Sequence, residues 1–115
     1  MAKIEVFRHV ENGLRYPPGA LIFREGEPGD VMYAVLEGEV EIRVGDRVIE
    51  RTGEGGVVGE LALIDRRPRS ATAVAVTACV LAPIDEKQFQ FMVQQTPFFA
   101  LQVMRVLTER LRRQT

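Results

Sequence analysis

Turn signals recur at short intervals from residue 17 to residue 56, and they limit what this chain can fold into more than any other feature. They stand at Pro17-Pro18-Gly19, Glu25-Gly26-Glu27-Pro28-Gly29-Asp30, Glu37-Gly38, Gly45-Asp46 and Gly53-Glu54-Gly55-Gly56. The short segments between them suit strands. In the clearest, Val40, Ile42 and Val44 alternate with Glu41 and Arg43, which predicts a half-buried strand with one wet face. Val31 to Leu36 is apolar on both faces and is expected inside a sandwich or roll. Regular spacing of short strands favours a sandwich or barrel over a parallel α/β sheet. The expected fold class is mainly β.

The two ends follow a helical period instead. Ile4, Phe7, Val10 and Leu14 predict a first helix over about residues 1–14, with Asn12-Gly13 as its stop signal. Asp85 followed by Gln88 has the form of a capping box opening a helix that buries Phe89, Met92 and Val93. Thr96-Pro97 supplies an N-cap and a first-turn proline for a last helix. Its expected core stripe is Ala100, Val103, Met104, Leu107 and Leu111, while Arg110, Arg112 and Arg113 suit the negative end of the helix dipole. The expectation is a single domain over residues 1–115, with the β region at about 19–84 and two helices at about 85–113.

Composition closes off other classes. The 115 residues suit one domain, and 15 Lys+Arg against 16 Asp+Glu leave a net charge of −1, not the basic excess of a nucleic-acid binder. No apolar run is long enough for a membrane span and the first residues hold no signal-peptide core, so no membrane partner is expected. Cys79 is the one cysteine, which excludes an intramolecular disulfide and fits a cytoplasmic location. His9 is the one histidine, which excludes a metal site built on a histidine cluster. No nucleophile elbow, Walker loop or paired histidine occurs, and Ser70 has no local histidine base. An enzyme is not expected.

Chemistry concentrates in residues 58–72, Val-Gly-Glu-Leu-Ala-Leu-Ile-Asp-Arg-Arg-Pro-Arg-Ser-Ala-Thr. A short helix opening just after Gly59 would present unpaired backbone N–H groups, a ready anion site. Arg69, beyond the Pro68 corner, could fold back and grip the same anion through its planar guanidinium. Ser70 and Ala71 are small enough for close backbone approach. Glu60 is unwelcome beside an anion unless it accepts a hydrogen bond from a neutral donor such as a sugar hydroxyl. A ligand with one phosphate charge and a nearby hydroxyl satisfies every group.

These residues resemble the phosphate-binding cassette of the cyclic-nucleotide-binding domain family, whose pattern runs Gly-Glu-Leu/Met-Ala-Leu-Ile, three variable residues, then Pro-Arg-Ser/Thr/Ala-Ala-Thr. The match holds at Gly59 to Ile64 and Pro68 to Thr72 without a gap. It departs at Val58, where the family usually has an aromatic residue. Gly26-Glu27-Pro28-Gly29-Asp30, Met32-Tyr33, Gly38 and Val40 are similar to the family's strand-and-turn framework.

The resemblance implies an eight-stranded β-roll of double-stranded β-helix or jelly-roll type, with one N-terminal and two C-terminal helices. It implies that Arg69 pairs with the cyclic phosphate and that Glu60 accepts from the ribose 2′-hydroxyl. Backbone N–H groups near Leu61, Ala62, Ser70 and Ala71 would complete the cradle, and Gly59 would permit close approach to the ribose. The ligand expected is cAMP in preference to cGMP, with weak purine discrimination, no other cofactor, and Leu107, Arg110 and Leu111 as candidate covers for the base. Capture is expected to reorder the C-terminal helices, whose Phe89, Phe98 and Phe99 should meet the cassette helix. Family regulators continue into a DNA-reading helix-turn-helix, for which the residues after Pro97 leave no room. An unidentified protein effector is expected in place of nucleic acid, or the chain is a piece of a longer one. A monomer is expected, since only Leu101 and Val106 remain as apolar candidates outside the helix stripe. The alternative is a ligand-free scaffold of the same fold, acting by protein contact.

Overall fold

The computed structural model describes residues 13–113. The expected first helix, with Ile4, Phe7 and Val10, lies outside the described residues. Leu14, assigned to its end, instead opens strand β1 (Leu14–Tyr16), so the β region begins ahead of the expected residue 19. Leu14, Arg15 and Tyr16 pair with Leu81, Val80 and Cys79, and this ladder outweighs the helical spacing of one leucine.

Seven further strands follow: β2 (Leu21–Phe23), β3 (Val31–Glu37), β4 (Val40–Val44), β5 (Arg47–Thr52), β6 (Val57–Val58), β7 (Thr72–Ala75) and β8 (Cys79–Asp85). They form two four-stranded antiparallel sheets, ordered β1-β8-β3-β6 and β2-β7-β4-β5. The one helix between strands is α1 (Glu60–Asp65); α2 (Glu86–Gln95) and α3 (Phe98–Arg113) follow the roll. The mainly β expectation and the eight-stranded roll are both met.

β3 explains why both its faces are apolar. Met32 and Ala34 join the cluster under the helices, with Leu63, Ile84, Phe99 and Val103. Val35 and the partly buried Tyr33 join the second cluster between the sheets, with Phe23, Val58 and Leu81. β4 departs from simple alternation. Glu41 is buried, because Arg43 and Arg51 cover its carboxylate from the same strand and the next, at 2.5 and 3.4 Å.

Asp85 and Gln88 form the expected capping box: Gln88 N donates to Asp85 Oδ1 at 2.8 Å and Asp85 N to Gln88 Oε1 at 3.0 Å. Thr96 acts through its main chain, donating to Met92 O and accepting from Phe99 N, so one residue ends α2 and starts α3. The inward stripe of α3 differs from the expected one. Phe99, Val103 and Val106 are buried while Met104 and Leu111 are more than half exposed. Those buried positions are spaced by four and three residues, and Arg110 continues the same line. The exposed apolar residues of α3 are therefore Phe98, Leu101, Met104 and Leu111, more than the monomer expectation assumed.

Candidate functional site

The cassette begins at Gly59, whose φ of 76° is the left-handed conformation that favours glycine. A Cβ there would stand 2.5 Å from Arg69 Nη1 and 3.1 Å from the Phe23 ring, so the position demands glycine on two counts. From it the chain enters α1, which buries Ala62 and Leu63 and leaves Leu61 and Ile64 exposed. Arg66 ends this helix in the left-handed region at φ 59°, its N–H reaching Ala62 O at 3.1 Å. Its side chain pairs with Glu86 on α2, so the cassette helix is tied by charge to the helix behind it.

After the Pro68 corner the main chain of Arg69 is fixed on both sides by the turn between β2 and β3. Gly26 N donates to Arg69 O and Arg69 N to Glu27 O, both at 2.8 Å. The next strand adds a third tie, from Glu25 N to Thr72 Oγ1 at 2.9 Å. These bonds turn the Arg69 side chain back toward Gly59, where Nη1 donates to the Gly59 carbonyl at 3.1 Å. The guanidinium lies over the Phe23 ring, 4.3 Å from its centre, and 5.9 Å from that of Tyr33. Gly29 gives it room, since a Cβ there would overlap it.

Arg69 is only 6% exposed, and among the described residues no carboxylate forms an ion pair with it. Burial lowers its pKa, and Tyr33, Asp30 and Glu27 counter this from a distance. A guanidinium nevertheless stays charged in proteins. A buried cation without a counter-ion is costly, and an arriving anion removes the cost.

Glu60 lies at the other end of the cassette in the opposite electrostatic condition. It is 4% exposed, and its Oε1 accepts from Arg110 Nη1 at 2.5 Å. Arg110 is also held by Glu50 of β5, with Nε at 3.0 and 3.1 Å from its two oxygens and Nη2 at 2.9 Å from Oε2. Nη2 donates further to Val57 O at 2.6 Å. Arg113 adds a second cation on Glu50 at 3.0 Å, and the buried Thr52 hydroxyl donates to Glu50 Oε2 at 2.9 Å. Burial alone would raise the Glu50 pKa, but Arg110, Thr52 and Arg113 outweigh it and hold the carboxyl below its ordinary value. Arg110 is raised in turn: burial opposes its charge, and Glu60 and Glu50 more than restore it.

The structure brings Arg69 back onto Gly59, next to Glu60, Leu61 and Ala62 at the start of α1, while Ser70 and Ala71 follow Arg69 in the chain. Ser70 is exposed at its rim, and Ala71 is buried beneath. Leu107 is half-buried and Leu111 exposed. Arg110 is a partner of Glu60, more than the dipole partner its position in the last turn suggests. Three participants escaped the sequence. Phe23 and Tyr33 bring aromatic rings to the cassette although its own Val58 is aliphatic, and Glu50 reads as one more exposed-strand charge. The signal for Arg110 was its place on the line of Phe99, Val103 and Val106. Among the described residues no cluster of His, Cys, Asp and Glu could hold a metal ion, and no helix is long and apolar enough to cross a membrane.

The chain is thus an antiparallel β-roll in which a short helix opens after a glycine and a buried arginine returns to that glycine. The model of the cyclic nucleotide-binding domain matches residues 14–96, and the chain belongs to that family. It is 37% identical over 109 residues to a cyclic nucleotide-gated potassium channel of Rhizobium etli, covering 95% of this chain and 30% of the channel. It is 33% identical over 103 residues to a CRP-like cAMP-activated global transcriptional regulator of Mycobacterium tuberculosis, covering 85% of this chain and 46% of the regulator. The chain thus spans less than half the length of these relatives. Among solved structures, the catabolite activator protein of Thermus thermophilus superposes with a TM-score of 0.76 at 28% identity, over 93% of this chain and 58% of that one.

Proposed function

We propose that the chain is a regulatory sensor domain that binds a cyclic nucleotide, cAMP in preference to cGMP, and that it is not an enzyme. One observation carries this reading: Arg69 is a buried cation with no carboxylate ion pair among the described residues, set where the cassette opens. A monoanionic cyclic phosphate supplies the missing counter-ion. In this reading Arg69 grips the exocyclic oxygens, N–H groups near Leu61, Ala62, Ser70 and Ala71 complete the cradle, and Gly59 lets the sugar approach. Glu60 accepts from the ribose 2′-hydroxyl. The preference for cAMP is supported by the mycobacterial relative, a cAMP-activated regulator.

Output would run through the helices. Leu63 of α1 shares a core cluster with Phe99 and the partly buried Phe89, and Arg66 is bonded to Glu86. Drawing α1 onto a phosphate shifts what those groups touch, by no more than the ligand's differential affinity for the two arrangements allows. Phe98 is exposed and takes no part in that contact. The receiver is a protein effector, or further chain like that of the longer relatives.

Thermal unfolding with cAMP, cGMP and AMP tests the reading. At a concentration about 100 times Kd, a true ligand adds about 2.7 kcal/mol of stability. A shift with cAMP above that with AMP is the expected result. No shift with any cyclic nucleotide at millimolar concentration removes the sensor reading and leaves a scaffold of the same fold.

A further inference from the structure

Glu50 lies on a strand outside the cassette, yet it takes most of Arg110. Its two oxygens receive Nε twice and Nη2 once, while Glu60 receives a single bond from Nη1 to Oε1. Two carboxylates thus share one guanidinium unequally, and the one remote from the cassette holds the bidentate face. Glu50 is fixed for this by the Thr52 hydroxyl on Oε2 and by Arg113 on Oε1. Its side chain is 8% exposed, so water does little to loosen the arrangement.

We infer that Glu50 is the positioning residue for sugar recognition. By occupying the fork of Arg110 it confines that guanidinium to one oxygen of Glu60 and keeps Oε2 for a ligand hydroxyl. Without Glu50, Arg110 turns its planar fork onto the nearest carboxylate, which is Glu60. Both Glu60 oxygens are then consumed, because arginine and carboxylate favour paired bonds. Glu50 acts through Arg110 and needs no contact with the nucleotide. The inference rests on the reading above, in which Glu60 accepts the ribose 2′-hydroxyl.

The experiment compares dissociation constants of cAMP and 2′-deoxy-cAMP for wild type, Glu50→Gln, Arg110→Gln and the double variant. Wild type should prefer cAMP by roughly ten- to a hundredfold, the worth of a hydrogen bond to a charged group. Glu50→Gln should cut that preference at least fivefold, mainly by weakening cAMP. The same change made in Arg110→Gln should leave the preference within twofold, since the competing fork is gone. A general loosening of the fold would weaken both ligands alike and would not depend on Arg110. Should Glu50→Gln not fold, Thr52→Val removes the hydroxyl on Glu50 Oε2 at nearly the same volume and should lower the preference at least twofold. A wild-type preference that survives Glu50→Gln, or Thr52→Val in its place, overturns the inference alone. Wild type that binds neither nucleotide, or both equally, overturns the reading it rests on, and the inference with it.

Discussion

The two ends of the cassette solve opposite electrostatic problems. At the Glu60 end, two carboxylates and two guanidinium groups, Glu50, Glu60, Arg110 and Arg113, balance one another within the protein. At the Arg69 end, a buried cation rests on an aromatic ring and a carbonyl, with no ion pair among the described residues. Burial makes an unpaired charge expensive and a paired one tolerable. The Glu60 end is therefore balanced in charge within the protein, and on the proposed function a phosphate would balance the Arg69 end. Affinity should reside chiefly with Arg69 and sugar selectivity with the balanced cluster.

Removing the unpaired cation breaks this contrast most severely. Arg69→Ala leaves a phosphate without its partner, at a cost of about 3–5 kcal/mol, or roughly two to four decades in Kd by titration calorimetry. Arg69→Lys should recover part, since an ammonium lacks the planar fork. A loss under threefold for Arg69→Ala would place the phosphate elsewhere.

At the balanced end the effect is smaller and selective. Glu60→Ala should erase a preference of about 1.5–3 kcal/mol for cAMP over 2′-deoxy-cAMP. A double cycle between protein and ligand measures it, and a coupling below about 0.5 kcal/mol sinks the sugar assignment while leaving Arg69 untouched.

Two milder changes sharpen the Arg69 side. Gly29→Ala puts a methyl group where the guanidinium lies. Overpacking of this kind costs about 1–3 kcal/mol, and here it should appear as roughly tenfold weaker cyclic-nucleotide binding with little change in Tm, because a side-chain end can move aside. Phe23→Leu removes the ring beneath the cation and should cost about 0.5–2 kcal/mol of binding. Unchanged affinity in both would show that the ring and the glycine only house the arginine.

The smallest effect separates the ends by pH. Glu50 has a folded pKa below its ordinary 4.5. Its contribution to stability is therefore fully present above that value and is lost as pH falls through the lower folded one. Melting curves of wild type should lose this contribution below about pH 4.5, and Glu50→Gln should fall less steeply over the same range. Parallel curves would mean that Glu50 gains nothing from its two arginines.

The roll was legible because its signals are local. Glycine-rich turns bound strands of the right length, Val31 to Leu36 shows its two apolar faces directly, and Asp85 with Gln88 announces a helix start. The cassette was legible as a run, since Gly59 to Thr72 is contiguous and each residue type states its chemistry. What the sequence hid is contact across the fold. Glu50 and Arg110 meet although 60 residues separate them, and no property of Glu50 among Ile49 and Arg51 points to Arg110. The sequence does not reveal the stripe of α3, because Met104 and Leu111 are as apolar as the buried Phe99 and Val106. Which set faces inward is decided by packing against the roll, where Phe99, Val103 and Val106 join Met32, Ala34 and Leu63. Phe23 is hidden for the opposite reason: a lone aromatic in a short strand is ordinary core, and its second face, under Arg69, depends on a turn folding over it.

The main-chain exchange between Arg69 and the Gly26-Glu27 turn has a consequence for how the protein comes into being. It joins segments far apart in the chain, as the neighbouring bond across 47 residues also does. Closing so long a loop costs entropy before any contact repays it, so pairings of this kind are slow to form. The ring on β2 and the guanidinium just ahead of β7 belong to strands that pair with each other. During synthesis, a ribosome that has delivered the turn at Gly26-Glu27 must deliver the whole middle of the roll before Arg69 emerges to meet it. On the proposed function, binding competence would thus be a property of the closed roll.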